Sequence, residues 1–367
     1  MMRYRILAGA LTLVLLLTAC SAGSPAAATT TSVTSATTAA STTTAAAATT
    51  AAAVTTTAAT TTTAKATTTA AEPSEMQLIG MIPKAQDGAI FGDWLFRFGA
   101  GGIGNAYRVS DALKDGWKSV KAVSFFALDR ADEIVPHCNS VCFGSEYYDP
   151  GDEFPLLYAN IYNNYEKEAD KLPGTCCVYR LTRDGETFST QLVQIIRVGF
   201  TNDTGFWNGG GVPYGNFAVD TGSNRLVVYL MRKTYNDTRY FLFDLPKVTD
   251  GEPHETLGVN CVTLEKDDIL SYFDGPYSNF VQGGVVHDGK LYSVEGRGSK
   301  YGEAGLRVVD LDAEKELYFY DFVSRGYPSE PELIDFTDGC ALYADYAGML
   351  YRLDIEAIEA EALKAQD

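Results

Sequence analysis

Four short β-rich runs recur five times in the same order along residues 75–367, and this repeat constrains the fold more than any other feature of the chain. The first run of each unit ends in a turn signal, and its copies are AIFGD at 89, VCFGS at 141, FAVDT at 217, VVHDG at 285 and LIDFT at 333. The second run alternates after an aromatic or branched pair, and its copies are WLFRFGA at 94, LLYANIY at 156, RLVVYLM at 225, KLYSVEG at 290 and ALYADYA at 341. Asp288-Gly289 and Asp338-Gly339 join the first run to the second, which predicts tight hairpins.

Two further runs complete each unit. The third run has the copies AYRVSDA at 106, VYRLTRD at 178, YFLFDLP at 240, LRVVDLD at 306 and LYRLDIE at 350. The fourth has the copies VKAVSFF at 120, QLVQIIRV at 191, VNCVTL at 259 and ELYFYDF at 316, and MQLIGMI at 76 supplies the copy that the last unit lacks. The repeat therefore predicts an all-β fold, a five-bladed β-propeller closed by its N-terminal strand. A β-sandwich with coincidental alternation and a six-bladed ring with one weak blade are the alternatives.

Two segments also resemble a known group of proteins. HCNSVCFG at 137, continuing through Tyr148-Asp149 to FPLLYANIY at 154, is similar to a motif of secreted five-bladed propeller proteins of gut anaerobes. VQGGVVHDGKLY at 281 is similar to the same group. The resemblance covers most of residues 75–367 and implies the fold and the blade count. It implies no particular activity.

The N-terminus has the pattern of an export signal. Arg3 and Arg5 precede an apolar run from Ile6 to Ala19, which is shorter than the roughly 20 residues of a membrane-spanning helix. Leu17-Thr18-Ala19-Cys20 resembles a bacterial lipobox, which implies cleavage before Cys20 and acylation of its sulfur. We therefore expect a signal peptide over residues 1–19 and a protein that is exported to the bacterial cell surface and anchored in the membrane lipid through Cys20.

A linker and a strongly acidic domain follow. Residues 20–74 are dominated by Thr and Ala and have no aromatic residue, so we expect a disordered linker between Cys20 and the propeller domain at 75–367. The whole chain has 29 basic and 47 acidic residues and a net charge of −18. Four charged residues precede position 75, which leaves 26 basic and 46 acidic residues, a net charge of −20, for the propeller domain. Without a basic block, nucleic acid is excluded as a partner.

The ligand site is expected where the first strand of each blade begins. Loops that join blades meet at that end of the ring, here called the top face, and functional side chains usually lie on such loops. Amide side chains offer donors and acceptors together, which suits hydroxyl-rich ligands such as sugars, although they can also simply satisfy backbone groups around a water-filled axis. The predicted ligand-binding residues are Gln86, His137, Asn139, Trp207, Tyr214, Asn216, Gln282, Arg297 and Glu332.

Two kinds of side chain add to this ring. Trp207 and the tyrosines Tyr165, Tyr277 and Tyr301 can provide stacking surfaces. Arg297, and equally Arg232, can hold a carboxylate or a phosphate through two hydrogen bonds.

The sequence offers little for catalysis. No G-x-S-x-G motif occurs, and His254 and His287 fall in turns expected on the opposite, bottom face, so His137 is the one top-face imidazole and a His-rich zinc site is not expected. We expect no metal and no cofactor, and no catalytic residue is assigned. Glycoside hydrolysis needs two facing carboxyl groups, and the top-face candidates are Asp87, Asp129, Asp132, Glu133, Glu330 and Glu332.

Three further features favour structural interpretations. The six cysteines of the propeller domain, Cys138, Cys142, Cys176, Cys177, Cys261 and Cys340, match no redox or zinc spacing and are expected to be buried thiols, although an exported domain permits disulfides. The acidic turn from Asp149 to Glu153 lacks the spacing of an EF-hand and is expected to be solvated rather than to bind calcium. IEAIEAEALKAQD at 355 has helical spacing.

Together these features favour a surface-anchored lipoprotein whose propeller binds an extracellular ligand, a glycan, on its top face. A carbohydrate-active enzyme, either a glycoside hydrolase or a lyase, that uses top-face carboxyl groups is the alternative. A protein–protein interaction platform is the second alternative, and it predicts a large apolar patch without a deep pocket.

Overall fold

The computed structural model describes residues 75–114, 119–161, 172–208 and 214–364. The expected signal peptide, Cys20, the linker and Tyr165 lie outside these residues. Within the described part of the chain, no helix is long and apolar enough to cross a lipid bilayer.

The described residues are mostly strand, with three α-helices. The strands are β1 (Met76–Met81), β2 (Gly88–Phe91), β3 (Trp94–Phe98), β4 (Ile103–Arg108), β5 (Ser124–Ala127), β6 (Val141–Phe143), β7 (Leu157–Asn160), β8 (Thr175–Asp184), β9 (Thr187–Val198), β10 (Asn216–Asp220), β11 (Arg225–Arg232), β12 (Asp237–Asp244), β13 (Glu252–Pro253), β14 (Asn260–Leu264), β15 (Ile269–Pro276), β16 (Val281–His287), β17 (Lys290–Gly296), β18 (Ala304–Asp310), β19 (Lys315–Asp321), β20 (Pro331–Thr337), β21 (Cys340–Asp345) and β22 (Met349–Leu353). The helices are α1 (Val109–Ala112), α2 (Ala131–Ile134) and α3 (Ile355–Lys364), and α3 confirms the helix expected from the C-terminal pattern.

These strands form five sheets, here called blades 1 to 5. The order is β2-β3-β4-β5 in blade 1, β10-β11-β12-β15 in blade 3, β16-β17-β18-β19 in blade 4 and β20-β21-β22-β1 in blade 5, while blade 2 has six strands in the order β6-β7-β8-β9-β14-β13. The innermost strands contact one another in the ring order β2, β6, β10, β16, β20 and back to β2. The fold is therefore a five-bladed β-propeller, and both the β-sandwich and the six-bladed ring are excluded.

The N-terminal strand closes the ring, as the repeat predicts. Strand β1 pairs antiparallel with β22, with Met76 opposite Leu353 and Met81 opposite Met349. Blade 5 is thus assembled from both ends of the domain. Because a blade exposes two apolar faces, each must pack against its neighbours, and buried apolar clusters fill the wedges between adjacent blades around the ring.

One predicted strand joins a different blade from the one expected. The run VNCVTL, expected as the outer strand of blade 3, is β14, and it pairs in parallel with β9 of blade 2, with Asn260 opposite Gln194. The buried Gln194 side chain holds the returning chain because its Nε2 donates to Lys247 O at 2.6 Å. The outer strand of blade 3 is instead β15, which pairs with β12 and contains Asp274, Gly275 and Pro276.

The outer strand of blade 1 is also shorter than expected. It begins at Ser124, whereas the preceding residues attach to blade 5, where Val120 N donates to Met81 O at 2.9 Å. In both places a connecting segment lies against the outer edge of the previous blade, which covers an exposed strand edge.

Candidate functional site

A funnel of about 400 Å³ opens at the top face, around the propeller axis. It forms there because the innermost strands of all five blades begin at this end, so their first side chains converge on the axis. The lining residues are Gln86, His137, Asn139, Tyr214, Asn216, Met231, Phe280, Val281, Gln282, Arg297, Glu330, Glu332 and Tyr346. Eight of the nine residues predicted from the sequence are therefore brought together in one cavity, although their role in binding stays a prediction.

The amide side chains of the funnel connect the blades to one another. Asn139 Nδ2 donates to Asn216 Oδ1 at 3.1 Å and to Val281 O at 3.3 Å, which joins blades 2, 3 and 4. Gln282 Nε2 donates to Glu330 Oε1 at 2.6 Å and joins blade 4 to blade 5. Part of the amide ring therefore has the structural role that the sequence left open as an alternative.

Two buried oxygens of the funnel keep unused hydrogen-bonding capacity. Asn139 Oδ1 and Glu332 Oε2 are inaccessible to water and have no hydrogen-bond partner among the residues the structure describes. The other carboxyl oxygen of Glu332 accepts a long hydrogen bond of 3.4 Å from Gln86 Nε2. Because buried polar atoms normally find partners, these two oxygens are unsatisfied groups beneath the funnel surface, and a ligand reaches them only if the side chains that cover them shift.

The two carboxyl groups of the funnel are both harder to ionise than usual. Burial raises the pKa of Glu332 well above its ordinary value, the charge of Glu330 adds to the rise, and the guanidinium of Arg97 opposes it. Burial also raises the pKa of Glu330, although Arg297 and the hydrogen bond from Gln282 act in the opposite direction. Burial therefore favours the neutral form of both carboxyl groups over the charged form.

Arg97 is a buried cation that supports this carboxyl group. Its side chain is fully buried and donates to three backbone carbonyls, Gln86 O at 3.2 Å, Ala85 O at 3.1 Å and Asp345 O at 3.2 Å. Burial lowers the pKa of Arg97, but the ordinary value is so high that the guanidinium stays charged. It thus connects the first strands of blade 1 to the loop of blade 5.

Two aspartates lie buried along the axis and outside the funnel. Asp87 Oδ2 accepts from Val141 N at 2.8 Å, and burial raises the pKa of Asp87 well above the ordinary value. Asp335 accepts from Ile90 N at 2.5 Å and from Phe336 N at 2.7 Å, and burial raises its pKa to about 7. Both carboxyl groups therefore cap backbone N–H groups at the edges of inner strands.

Of the carboxyl groups expected to pair across the axis, only Glu330 and Glu332 line the funnel. Asp87 is buried below the funnel, Asp132 is exposed on α2, and Asp129 is held by Leu192 N at 2.9 Å on the side of blade 2. The two carboxyl groups that line the funnel, Glu330 and Glu332, belong to the same chain segment of blade 5. In the described residues, no group of three His, Cys, Asp or Glu side chains has an arrangement that could hold a metal ion.

The expectation that Trp207 offers a stacking surface is wrong. Its side chain is fully buried and stacks on Phe241 at 5.8 Å between ring centroids. Gly174 and Gly215 provide the space, since a Cβ at Gly215 would lie 2.9 Å from the indole ring. The tryptophan therefore belongs to the core between blades 2 and 3.

Arg232 is likewise engaged within the protein. Both ends of its guanidinium donate to Asp237 at 2.7 Å, so it cannot hold a ligand carboxylate without breaking a buried ion pair. By contrast, Arg297 lines the funnel, and its guanidinium lies 4.4 Å from the ring centroid of Tyr301, an exposed residue beside it. Tyr277 is half-buried and does not line the funnel.

Three apolar residues of the rim were missed from the sequence. Phe280 directly precedes β16, Tyr346 directly follows β21, and Met231 lies near the end of β11. Phe280 satisfies the same positional rule that identified Gln282, and Tyr346 could have been found by extending that rule to strand ends at the top face.

Three larger cavities lie elsewhere in the described part of the chain. One of about 480 Å³ surrounds the bottom of the axis, another of about 730 Å³ lies beside it, next to α3, and a third of about 660 Å³ lies at the outer edge of blade 2, beside β13 and β14. Polar groups of the largest cavity are engaged by the chain, since Asp354 Oδ1 accepts from Ala357 N at 3.0 Å and His287 stacks on Phe336 at 3.9 Å. The smaller funnel at the top is therefore the better candidate site.

The remaining features expected from the sequence have structural roles. All six cysteines are unbonded thiols; four are buried, and Cys261 and Cys340 are half-buried. Burial raises the pKa of Cys142 and Cys177 to about 12, which leaves them protonated and unreactive. The acidic turn is paired with arginines of β8, since Arg180 lies 2.6 Å from Asp152 and Arg183 lies 2.8 Å from Glu153.

The chain has structural relatives of low sequence identity. No family model and no curated protein matches it. A glutaminyl cyclase from Myxococcus xanthus aligns with 76% of this chain and 94% of its own, with a TM-score of 0.41 and 11% identity. The computationally designed Ika8 protein aligns with 76% of this chain and 99% of its own, with a TM-score of 0.31 and 10% identity. The Dos1 propeller aligns with 73% of this chain and 66% of its own, with a TM-score of 0.31 and 9% identity. At these identities and TM-scores, the likeness carries no argument about this chain.

Proposed function

We propose that the top-face funnel binds a sugar or a short oligosaccharide outside the cell. The observation that carries this proposal is the pair of buried oxygens without partners, Asn139 Oδ1 and Glu332 Oε2, in a cavity of about 400 Å³. Asn139 Oδ1 is an acceptor, and burial raises the pKa of the Glu332 carboxyl group, which favours its hydrogen-bond-donating form. A small shift of the side chains that cover these two atoms would open both to a ligand. A sugar hydroxyl can take either role.

The rim adds the second element of a sugar site. Phe280 and Tyr346 are partly exposed at its edge, at 44% and 43% of their surface. Flat rings beside hydrogen-bonding groups fit the two kinds of surface that a pyranose presents, its apolar C–H face and its hydroxyl edge.

The location of the protein is part of the same proposal. The lipobox-like segment Leu17-Cys20 and the Thr/Ala-rich linker favour a lipoprotein that holds its propeller away from a bacterial membrane. Cys20→Ser is expected to move the protein from the membrane fraction to the soluble fraction, as measured by immunoblotting. Retention in the membrane fraction would contradict acylation at this residue.

Binding is tested with the full chain in detergent on an array of neutral and acidic oligosaccharides, followed by titration calorimetry. Glu332→Gln keeps the shape and a donor and is expected to retain binding. Glu332→Leu and His137→Ala are expected to weaken it about tenfold, the effect of one or two hydrogen bonds. His287→Leu, at the bottom cavity, is the matched control.

Two outcomes would contradict glycan binding. One is that no oligosaccharide binds the wild-type protein. The other is that binding is equally strong in Glu332→Leu and His137→Ala, provided that both variants unfold at the same denaturant concentration as the wild type.

A carbohydrate-active enzyme is the second candidate, because Glu330 and Glu332 both line the funnel and both have raised pKa values. A carboxyl group that stays protonated at neutral pH is suited to general-acid catalysis. This candidate predicts that bound oligosaccharides are slowly shortened and that Glu332→Gln stops the cleavage while binding persists. Intact oligosaccharides after long incubation would exclude it. The protein-platform alternative predicted no deep pocket, and the funnel weighs against it.

A further inference from the structure

The most unusual side chain of the funnel is Arg297. Its guanidinium lies over two aromatic rings, 4.4 Å from the centroid of Tyr301 and 5.3 Å from that of Phe280. Its Nε is 3.7 Å from Glu330 Oε1, which is too far for a hydrogen bond. Among the residues the structure describes, the N–H groups of Arg297 donate to none.

Other buried or half-buried arginines of this protein are engaged differently. Arg239 donates to both oxygens of Asp274, at 2.7 Å and 2.8 Å, and Arg307 donates to both oxygens of Glu295, at 3.0 Å and 2.6 Å. Arg297 presents the same fork of N–H groups, but its nearest described carboxylate, that of Glu330, is an ion-pair partner at 3.7 Å that accepts no hydrogen bond from it. The side chain is 40% exposed and lines the funnel.

The backbone around Arg297 is closely packed against neighbouring segments. Gly296 and Gly298, on either side, have φ angles of 95° and 75°, which favour glycine. A Cβ at Gly298 would collide with Pro328 O, and Gly296 N donates to Phe280 O at 2.8 Å. The arginine is thus held on a turn that packs against the loop before β20, and its rings and backbone reduce the entropy that binding would cost.

Arg297 has charged neighbours of both signs, since Glu330 lies 3.7 Å away and Lys300 shares its contact with the ring of Tyr301. Lys300 lies 5.1 Å from the centroid of Tyr301, and Lys84 lies 5.0 Å from that of Tyr346 at the rim. Residues 75–367 carry a net charge of −20, so a polyanionic chain would be repelled while a single negative group could be accepted at this rim.

We propose that the ligand of the funnel is a sugar that carries one carboxylate, which Arg297 holds through two hydrogen bonds. This inference rests on the proposed function and names the class of sugar. A carboxylate fits the fork of a guanidinium, and the hydroxyl groups of the same sugar fit Asn139 and Glu332 at the floor. Uronic acids and sialic acids share this chemistry.

The test compares each acidic oligosaccharide with its carboxyl-reduced counterpart, using the full chain in detergent and an array that holds uronate and sialate pairs. The wild-type protein is expected to bind one of the acidic forms at least tenfold more tightly than its reduced form. Arg297→Gln is expected to lower the affinity for the acidic form by about 10- to 100-fold and to leave the affinity for the reduced form unchanged. The affinity of Arg297→Lys for the acidic form should lie between those of the wild type and Arg297→Gln, because lysine keeps the positive charge but cannot form two parallel hydrogen bonds.

Arg352→Gln is the control, since it removes an exposed arginine at the bottom face. Equal affinity for acidic and reduced forms in the wild type, or an equal loss for both in Arg297→Gln, would overturn the carboxylate inference and leave glycan binding intact. Absence of binding to every member of the array would overturn the proposed function, and the inference with it. Denaturant unfolding of Arg297→Gln verifies that the variant is folded.

Discussion

The two ends of the propeller axis carry cavities of similar size, about 400 Å³ at the top and about 480 Å³ at the bottom, but their polar groups are used differently. At the bottom, both oxygens of Asp335 accept backbone N–H groups, and apolar side chains such as Phe143 and Phe336 surround it. At the top, Asn139 and Glu332 each keep a buried oxygen without a described partner. The bottom is therefore complete by itself, whereas the top has capacity for a ligand.

Chain direction explains the contrast. At the bottom, four of the five blades join their first and second strands by short turns, as at Asp288-Gly289, while blade 2 has a longer segment between β6 and β7. At the top, the chain crosses between blades and between second and third strands, and the loop that carries Arg297 belongs to this set. Loops at the top can therefore differ in composition while the ring beneath them stays the same.

The largest expected effect is at the floor of the top funnel, from Arg97→Met. The change removes the partner of three backbone carbonyls and the one buried cation near Glu332 and Asp87. Because breaking such a buried arrangement leaves polar groups without partners, the free energy of unfolding is expected to fall by about 3–5 kcal/mol. Denaturant unfolding followed by tryptophan fluorescence measures it.

Arg183→Met is the matched control, since Arg183 pairs with Glu153 in an exposed turn at the bottom. It is expected to change the free energy of unfolding little, because exposed ion pairs contribute little. Similar losses in the two variants would show that the buried arginine is not the special support of the funnel that its contacts indicate.

The next effect concerns the bottom of the axis and depends on pH. Burial raises the pKa of Asp335 to about 7 from an ordinary 3.8. Between these values the folded protein holds a proton that the unfolded chain has lost, so the free energy of unfolding falls as the pH rises from about 4 to 7 and then levels. Asp335→Asn lacks this titration, and its free energy of unfolding should fall by about 2–3 kcal/mol less than that of the wild type between pH 5 and pH 8.

The two proteins are compared by the slope of their free energy of unfolding against pH. The loss of a hydrogen bond to Ile90 or Phe336 in Asp335→Asn is the same at every pH and does not affect this slope. Asp338→Asn, in the adjacent exposed turn, is measured alongside to correct for a change in total charge. If Asp335→Asn and the wild type lose stability in parallel over this range, then Asp335 is ionised in the folded protein, and the description of the bottom as a satisfied, neutral end is wrong.

The blade count could be predicted because it depends on local patterns, whereas errors arose where distant segments meet. Alternation of apolar residues indicates a strand but not the edge it joins, and the run at 259 has the pattern of an outer strand yet pairs with β9. Trp207 lies in a polar, glycine-containing loop, which suggested exposure. The space that buries it comes from Gly174 in blade 2 and Gly215 at the start of blade 3, contacts that no local pattern encodes.

Most of the residues that line the funnel could be predicted, because their position depends on strand order and not on contacts between distant segments. Strand order alone places the first residues of every inner strand at one end of the ring, so His137, Asn139 and Gln282 follow from topology. Which hydrogen-bonding groups of each side chain remain unpaired in the folded protein does not follow from topology. Arg232 and Arg297 looked equivalent as anion-binding residues, and only their contacts show that the first is paired with Asp237.

The smallest expected effect is on the position of Arg297 at the top rim. Tyr301→Leu removes the ring that lies 4.4 Å below the guanidinium while leaving the arginine in place. A cation–π contact at an exposed site contributes about 0.5–1 kcal/mol, so the affinity for a carboxylated sugar should fall about two- to fivefold. The affinity for its carboxyl-reduced form should not change, because Tyr301 acts through Arg297 and does not itself line the funnel.

The matched variant at the other end of the axis is Phe336→Leu, which removes the ring stacked on His287 at 3.9 Å and should leave both affinities unchanged. Titration calorimetry with the acidic and reduced forms distinguishes these cases: an equal loss for both sugars in Tyr301→Leu would mean that the ring contacts the ligand directly, and a loss in Phe336→Leu would mean that the two ends of the axis are coupled.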